Sequence, residues 1–130
     1  MDPLVERLIE KVTADEAVLA VILFGSRARG EELPGSDIDL CLVLAPARDT
    51  KIDHMTARMA YLSSGSGKLD LRIFQQLPLY IRRRVLKEGA VLLCKDLDAL
   101  YAIAYRTAQA FEDFKPIYRQ YLDQVAHAGS

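Results

Sequence analysis

The sequence predicts an α/β (α+β) domain, in which a small mixed sheet of three to four strands is flanked by helices and followed by a helical C-terminal end. Three observations support this class. Short apolar runs with strand character alternate with amphipathic stretches at helical spacing. Glycine and proline fall at the boundaries between these runs, and the C-terminal part has a helical pattern throughout. At 130 residues we expect a single domain, residues 1–130, with one hydrophobic core.

The first part of the chain contains one predicted helix and two predicted strands. Asp2 followed by Pro3 is typical of a helix N-terminus. The apolar residues that follow at helical spacing are Leu4, Val5, Leu8, Ile9 and Val12. The continuous apolar run "AVLAVILF" predicts a strand over residues 17–24, which ends at Gly25. Residues 37–44 predict a second apolar strand.

Two helices and two shorter strands follow. Residues 50–62 predict a helix. The apolar residues that we expect on its inner side are Ile52, Met55, Met59 and Leu62. "KLDLRIF", residues 68–74, predicts a third strand because apolar and polar residues alternate strictly. A further helix begins at Pro78 and ends at Gly89, and "AVLLC", residues 90–94, predicts a short edge strand.

The C-terminal part of the chain is predicted to be helical from Asp96 to about Ala126. Pro116 lies inside this stretch, so we expect either a kink or a division into two helices there. Aromatic residues recur along it at Tyr101, Tyr105, Phe111, Phe114, Tyr118 and Tyr121. Most of them should pack against the sheet, and those left exposed would anchor a partner.

Composition and charge exclude several classes of protein. Apolar residues make up 51% and charged residues 27% of the chain, which is typical of a globular protein. The 17 basic residues are balanced by 18 acidic ones, so we expect no direct nucleic-acid binding. The most basic run, Arg82–Arg84, is either a solvated face near a helix C-terminus or a contact surface for an acidic partner.

The chain shows no pattern typical of membrane proteins or of metal-binding cysteines and histidines. No apolar run approaches the roughly 20 residues that span a bilayer, and the N-terminus does not resemble a signal peptide, so we expect a cytoplasmic protein with no membrane contact. Cys41 and Cys94 lack CxxC spacing and lie in apolar runs, which favours buried free thiols. His54 and His127 fit no metal-ligand spacing.

The stretch "LFGSRARGEELPGSDIDLCLV" places two aspartates at the head of the second strand. Asp37 and Asp39 project to the same face of that strand, with a rise of about 6–7 Å between them. Two carboxylates on one face repel each other unless a cation lies between them. Magnesium takes oxygen ligands and is commonly held by one or two carboxylates plus substrate phosphates. Asp37 and Asp39 are therefore candidate metal ligands.

Asp70 supplies a third carboxylate. In "KLDLRIF" the apolar side chains face the core, which leaves Asp70 and Arg72 on the opposite side. If the third strand lies beside the second, Asp70 converges with Asp37 and Asp39. Two metal ions about 3.5–4 Å apart would then clamp the attacking and leaving oxygens of a nucleotidyl transfer. Asp70 is also placed to accept the proton of the nucleophile.

The Gly-Ser turn after the first strand fits a phosphate site. Gly25 lets the backbone turn tightly and approach a ligand. The residues that follow it can begin a short helix whose N–H groups face anionic phosphate. The Ser26 hydroxyl adds a hydrogen bond, and Arg27 or Arg29 would neutralise charge on a leaving pyrophosphate.

Each of these features also has an ordinary structural interpretation. A Gly-Ser turn is common, and an Asp-x-Asp pair also occurs at solvated strand ends and as a turn cap. Asp70 taken alone is typical of the surface of a half-exposed strand. Their occurrence in this order, each at a strand boundary, favours a functional site.

The stretch "GSRARGEELPGSDIDL" resembles the signature of the DNA polymerase beta-like nucleotidyltransferase superfamily. More narrowly, Gly25 and Ser26, ten intervening residues, and then Asp37 and Asp39 resemble the minimal nucleotidyltransferase (MNT) antitoxins of the MNT–HEPN toxin–antitoxin type. "LDLRIF" is similar to the third-acid strand of this family, and "FEDFKPIYRQYLDQ" is similar to its closing helix. The resemblance covers nearly the whole chain.

The resemblance implies a nucleotidyltransferase fold that uses magnesium, with two ions, and ATP as substrate. It implies that Gly25 and Ser26 hold the triphosphate, while Asp37 and Asp39 bind the metal ions. Asp70 would complete the metal site and assist deprotonation. Some members transfer AMP to a tyrosine of the cognate HEPN ribonuclease toxin, which silences it. No catalytic position of the pattern is missing, so the resemblance implies an active protein adenylyltransferase that acts as an antitoxin.

Two other functions stay open. One is a non-catalytic antitoxin that neutralises its toxin by complex formation, and the other is a nucleotidyltransferase for a small molecule such as an aminoglycoside. Retention of all the acids favours catalysis over occlusion. Only about 35 residues follow the predicted strands and their helices, too few for a second core, so we expect the partner to supply the other half of the cleft.

Overall fold

The computed structural model describes residues 2–25, 37–62 and 68–128, and in the last helix the side chains of residues 97–113, 119–120 and 123–126. The strands of this part of the chain are β1 (Val18–Phe24), β2 (Ile38–Leu44), β3 (Leu69–Ile73) and β4 (Ala90–Cys94). Its helices are α1 (Pro3–Thr13), α2 (Lys51–Tyr61), α3 (Leu79–Glu88) and α4 (Leu97–Ala128). Short 3₁₀ turns cover Pro46–Arg48 and Phe74–Gln76.

The described strands form one mixed sheet in the order β3-β2-β1-β4. β1 is antiparallel to both β2 and β4, whereas β2 and β3 are parallel. A parallel pair needs a crossover connection, and α2 lies within it. This architecture confirms the predicted mixed sheet flanked by helices. It also confirms β4 as an edge strand.

The sequence signals at the helix ends act as expected. The Asp2 side chain accepts a 2.8 Å hydrogen bond from the Leu4 amide at the start of α1. Thr50 and Asp53 form a reciprocal capping box at the start of α2. Gly89 follows the last residue of α3, and its amide donates to the carbonyl of Val85.

The central strands are buried on both faces because helices cover both sides of the sheet. Alternate side chains of β2 divide between the two sides. Leu40, Leu42 and Leu44 pack with residues of α1 and α2. Cys41 and Val43 pack with residues of α3 and α4. Cys41 is thus the buried free thiol that the sequence predicts, whereas Cys94 is only half-buried.

The predicted inner side of α2 is wrong. The four apolar side chains assigned to it are 64–77% exposed: Ile52, Met55, Met59 and Leu62. The side chains of α2 that face the core are instead Ala57 and Tyr61. Tyr61 can be buried because its hydroxyl donates a 2.8 Å hydrogen bond to Asp15. Spacing identified the apolar stripe but not the side of the helix that the sheet covers.

Of the two outcomes expected at Pro116, the division into two helices is wrong, since α4 continues through Pro116 as one helix, and the kink stays a prediction. Proline removes one hydrogen-bond donor, and a long helix can absorb this loss. Tyr101 and Tyr105 belong to the exposed aromatic residues of this helix, whereas Leu100 and Ile103 face inward. The side chains of Phe114, Tyr118 and Tyr121 lie outside the described residues, so the packing of most of the six aromatic residues on the sheet stays a prediction.

None of the helices in the described residues is long and apolar enough to span a lipid bilayer.

Candidate active site

The sheet register brings the acids together at Asp39. The Cα of Asp39 is paired with Phe24 on the antiparallel strand β1 and with Asp70 on the parallel strand β3. Asp37 precedes β2 directly, and its charge acts on Asp39. The fold therefore brings Asp37, Asp39 and Asp70 to one end of the strands, as the sequence predicts.

Gly25 places the turn after β1 against the same carboxylate. Its φ of +78° lies in the left-handed region, which favours glycine. A Cβ built on Gly25 would overlap Oδ2 of Asp39 and lie 3.2 Å from its Cγ. The position therefore requires glycine for both its backbone conformation and its closeness to Asp39.

Asp39 lies among the negative charges of neighbouring carboxylates. Partial burial raises the pKa of Asp39, and the neighbouring charges of Asp70 and Asp37 raise it further. A hydrogen bond between the carboxyl groups of Asp39 and Asp70 acts in the same direction, whereas Arg72 lowers the pKa. A site with this excess of carboxylate charge attracts cations.

Arg72 is the basic residue that contacts the acidic cluster in the described residues. Its Nε lies 3.3 Å from Oδ1 of Asp70. The side chain of Arg72 is 59% exposed and that of Asp70 is 42% exposed, so water screens the ion pair. No role for Arg72 follows from the sequence, although strand alternation already places it on the same face as Asp70.

The carboxylates fit magnesium in part. No group of three or more acidic, histidine or cysteine side chains in the described residues is arranged to hold a metal ion. The structure supplies the close pair Asp39 and Asp70, with Asp37 nearby. All their donor atoms are carboxylate oxygens, which suit magnesium, and substrate phosphates commonly complete its coordination. The donor set therefore fits a metal ion that binds together with a nucleotide.

Two cavities lie beside the carboxylates. One has a volume of about 590 Å³ and follows the edge strand β3, where Asp70, Arg72 and Arg58 contribute to its lining. The other has a volume of about 180 Å³ and adjoins the turn at Gly25, with Phe24 in its largely apolar lining. Space for a bound molecule is thus present beside Asp70, and a smaller space adjoins the turn at Gly25.

Three of the predicted phosphate-binding residues cannot be placed. Ser26, Arg27 and Arg29 lie outside the described residues. Their predicted contacts with the triphosphate therefore stay predictions.

Two of the three arginines of the basic run on α3 are engaged within the chain, whereas the buried Nε of Arg82 has no hydrogen-bond partner in the described residues. Arg83 lies over the ring of Phe111, with 4.6 Å between its Cζ and the ring centroid. Arg84 forms a 3.5 Å ion pair with Glu88. These contacts favour the structural interpretation of Arg82–Arg84 over a dedicated contact surface.

Comparison with known families identifies the family of the chain. The family model for the polymerase beta nucleotidyltransferases matches residues 6–98, which include Gly25, Asp37, Asp39 and Asp70. The chain belongs to this family. The chain is therefore a nucleotidyltransferase, and the matched range contains the residues that the fold brings together.

Known relatives agree with this assignment. A Methanocaldococcus jannaschii protein that bears the name of a protein adenylyltransferase is 31% identical over 102 residues, which cover 78% of this chain and 70% of the relative. A toxin–antitoxin crystal structure with AMP-PNP matches with a TM-score of 0.69 and 21% identity, covering 93% of this chain and 98% of the other. A structure of tri-AMPylated Shewanella oneidensis HEPN toxin in complex with MNT antitoxin matches with a TM-score of 0.65 and 20% identity. The match covers 97% of this chain and 99% of the other. At these identities the two structures show a shared fold.

Proposed function

We propose that this protein is a magnesium-dependent adenylyltransferase that transfers AMP from ATP to a hydroxyl group of a HEPN ribonuclease toxin and so acts as its antitoxin. The acceptor hydroxyl belongs to a tyrosine. The catalytic unit is the single domain of residues 1–130, which acts in the cytoplasm, where ATP is available.

The observation that carries this proposal is the position of Asp39 between Gly25 and Asp70. The turn that would approach the triphosphate contacts Asp39 from one side. The strand that carries the third acid pairs with it from the other side. Nucleotide and metal ligands that meet at one point are what nucleotidyl transfer requires.

The protein acceptor is supported by the relatives. The Methanocaldococcus jannaschii relative carries the name of a protein adenylyltransferase, and the Shewanella oneidensis complex contains an AMPylated HEPN toxin. The chain covers 70% of the first relative and matches the fold over nearly all of the second. We therefore extend the acceptor class of these proteins to this chain.

The transfer forms one bond to phosphorus and breaks another. The acceptor oxygen forms a bond to the α-phosphorus of ATP, and the bond from that phosphorus to the bridging oxygen of the β-phosphate breaks. Pyrophosphate leaves with the electron pair. Asp70 accepts the hydroxyl proton and passes it to water, since its side chain is partly exposed.

Asp37, Asp39 and Asp70 would hold the magnesium ions. Bound magnesium supplies charge neutralisation at the phosphate oxygens. The side chains themselves orient the nucleotide, because the close contact between Gly25 and Asp39 fixes the turn relative to the strand. Asp70 stays oriented through its ion pair with Arg72.

The test is to incubate the protein with ATP, magnesium and the HEPN protein encoded beside it, and to determine the intact mass of the HEPN protein. We expect a gain in steps of one AMP that Asp37→Ala and Asp39→Ala abolish. Asp113→Ala, which removes an exposed carboxylate on α4, should leave the gain unchanged. A mass gain that survives Asp39→Ala would contradict the assignment of the site.

The alternative functions give other results in the same experiment. A tight complex that silences the toxin without any mass gain would replace adenylylation by occlusion. Absence of both the complex and the mass gain would direct the search to small-molecule acceptors.

A further inference from the structure

The outward face of α2 carries an apolar stripe that no described part of the chain covers. At about 100° per residue, its four side chains fall within about 80° of the helix circumference. These side chains are Ile52, Met55, Met59 and Leu62, and all are exposed. The opposite side of α2 already packs on the core through Ala57 and Tyr61. The stripe is therefore an additional face rather than a displaced core face.

This face is continuous with the candidate active site. Met55, Met59 and Leu62 line a groove of about 330 Å³. Arg58, Leu62 and Gln76 line both this groove and the larger cavity that contains Asp70. A protein that delivers a hydroxyl group to Asp70 along β3 would therefore extend over α2.

The groove is also positively charged. Lys51 and Arg58 contribute to its lining. Neither side chain forms an ion pair or hydrogen bond with another residue in the described ranges. Two copies of this face related by twofold symmetry would bring these cations towards each other, which disfavours a homodimer here. A partner with carboxylates around an apolar centre would complement it.

We propose, on the basis of the function proposed above, that the outward face of α2 is the docking surface for the acceptor protein. The acceptor covers the apolar stripe with an apolar patch bordered by acidic side chains. Its reactive hydroxyl then enters the cavity along β3 from the side of Arg58. Exposed methionines suit this role because their flexible side chains adapt to a partner.

The test compares two double variants that each place two aspartates on exposed apolar positions. Met55→Asp with Met59→Asp disrupts the proposed surface, and Val91→Asp with Leu97→Asp alters two exposed apolar residues of β4 and α4, at the sheet edge opposite β3. Isothermal titration calorimetry gives the Kd for the HEPN acceptor and, separately, for ATP. We expect the α2 variant to raise the Kd for the acceptor at least tenfold, which corresponds to about 1.4 kcal/mol, with an unchanged Kd for ATP.

A third variant tests the charge. Arg58→Glu should weaken acceptor binding and reduce its dependence on salt, because it removes an attraction to acidic groups. It leaves the apolar stripe unchanged, so it also covers the case in which the double variant fails to fold.

The outcomes separate this inference from the proposed function. If the wild type adenylylates the acceptor and the α2 variants bind it as tightly as the wild type, the docking surface is wrong and the function stands. If the wild type binds the acceptor through α2 without transferring AMP, the function is wrong and the docking surface stands. If light scattering shows a dimer of this protein alone that Met55→Asp with Met59→Asp dissociates, a second copy covers the face and the inference is overturned.

Discussion

Gly25 and Asp39 contact each other across the pair β1 and β2, so closely that a Cβ on Gly25 would overlap the Asp39 carboxylate. The two residues lie at the ends of neighbouring strands, where Phe24 pairs with Asp39. A glycine in the turn and a carboxylate on the next strand therefore form one structural unit. This explains why the two parts of the motif occur together although ten residues separate Ser26 from Asp37.

Gly25→Ala should reduce AMP transfer much more than it reduces stability. Alanine at this φ costs about 1–2 kcal/mol, and its methyl group displaces the Asp39 side chain. Misplacement of a catalytic group by about 1 Å can lower the rate roughly 100-fold. Transfer rates and thermal unfolding of the same preparation would measure both effects.

Gly89→Ala is the matched control. A Cβ there would overlap the Val85 carbonyl oxygen and lie 2.5 Å from Cγ2 of Ile22, away from any carboxylate. It should lower the melting temperature while the folded protein keeps its rate. Equal rate losses in the two variants would mean that the Gly25 effect is only destabilisation.

Asp39→Asn should make the metal-free protein more stable and less active. It removes the charge that Asp70 and Asp37 repel, and the asparagine amide can still donate a hydrogen bond to Asp70. We expect a higher melting temperature in EDTA at pH 7 and a transfer rate at least about 100-fold lower, equivalent to about 2.7 kcal/mol. A lower melting temperature in EDTA would show that the carboxylate stabilises the apo fold.

Arg72→Gln should affect activity rather than stability. An exposed ion pair contributes about 0–1 kcal/mol, so the free energy of unfolding should hardly change. Because Arg72 orients Asp70, we expect a roughly tenfold lower transfer rate at saturating ATP, in line with the loss of about 1.4 kcal/mol from one positioning contact. Arg84→Gln breaks an ion pair of similar exposure on α3 and serves as the control for stability.

The capping box at the start of α2 should make the free energy of unfolding decrease as the pH becomes acidic. Hydrogen bonds from the Thr50 hydroxyl, at 2.8 Å, and the Thr50 amide, at 3.2 Å, lower the pKa of Asp53. The unfolded chain therefore binds this proton more readily, so the stabilisation is present above the unfolded pKa and is lost as pH falls through the folded pKa. Asp53→Asn should flatten this part of the curve of unfolding free energy against pH.

Thr50→Ala probes the same cap at neutral pH. Loss of an N-cap hydroxyl costs about 0.5–2 kcal/mol, and chemical denaturation would measure it. An unchanged midpoint would mean that the capping box does not stabilise α2 in solution.

Most strands and helices, and the faces on which the acidic residues lie, could be predicted from local sequence patterns. The limits of β1, β2 and α3 follow from glycine and proline residues next to their ends, which act locally on the backbone. The same local rule of alternation placed Asp37 and Asp39 on one face of β2 and Asp70 with Arg72 on one face of β3. These features depend on the local geometry of the backbone, so they could be predicted without knowing which strands and helices lie next to each other.

Local patterns do not predict which elements pack against each other. The parallel pairing of β2 with β3 sets Asp70 beside Asp39 and gives Arg72 its contact with Asp70. The orientation of α2 could not be predicted from the sequence either. Its apolar stripe has the spacing of a core face but points to solvent, while Tyr61 packs inward. Periodicity fixes which side chains of a helix share a face, and the burial gained against distant residues decides which face turns to the core.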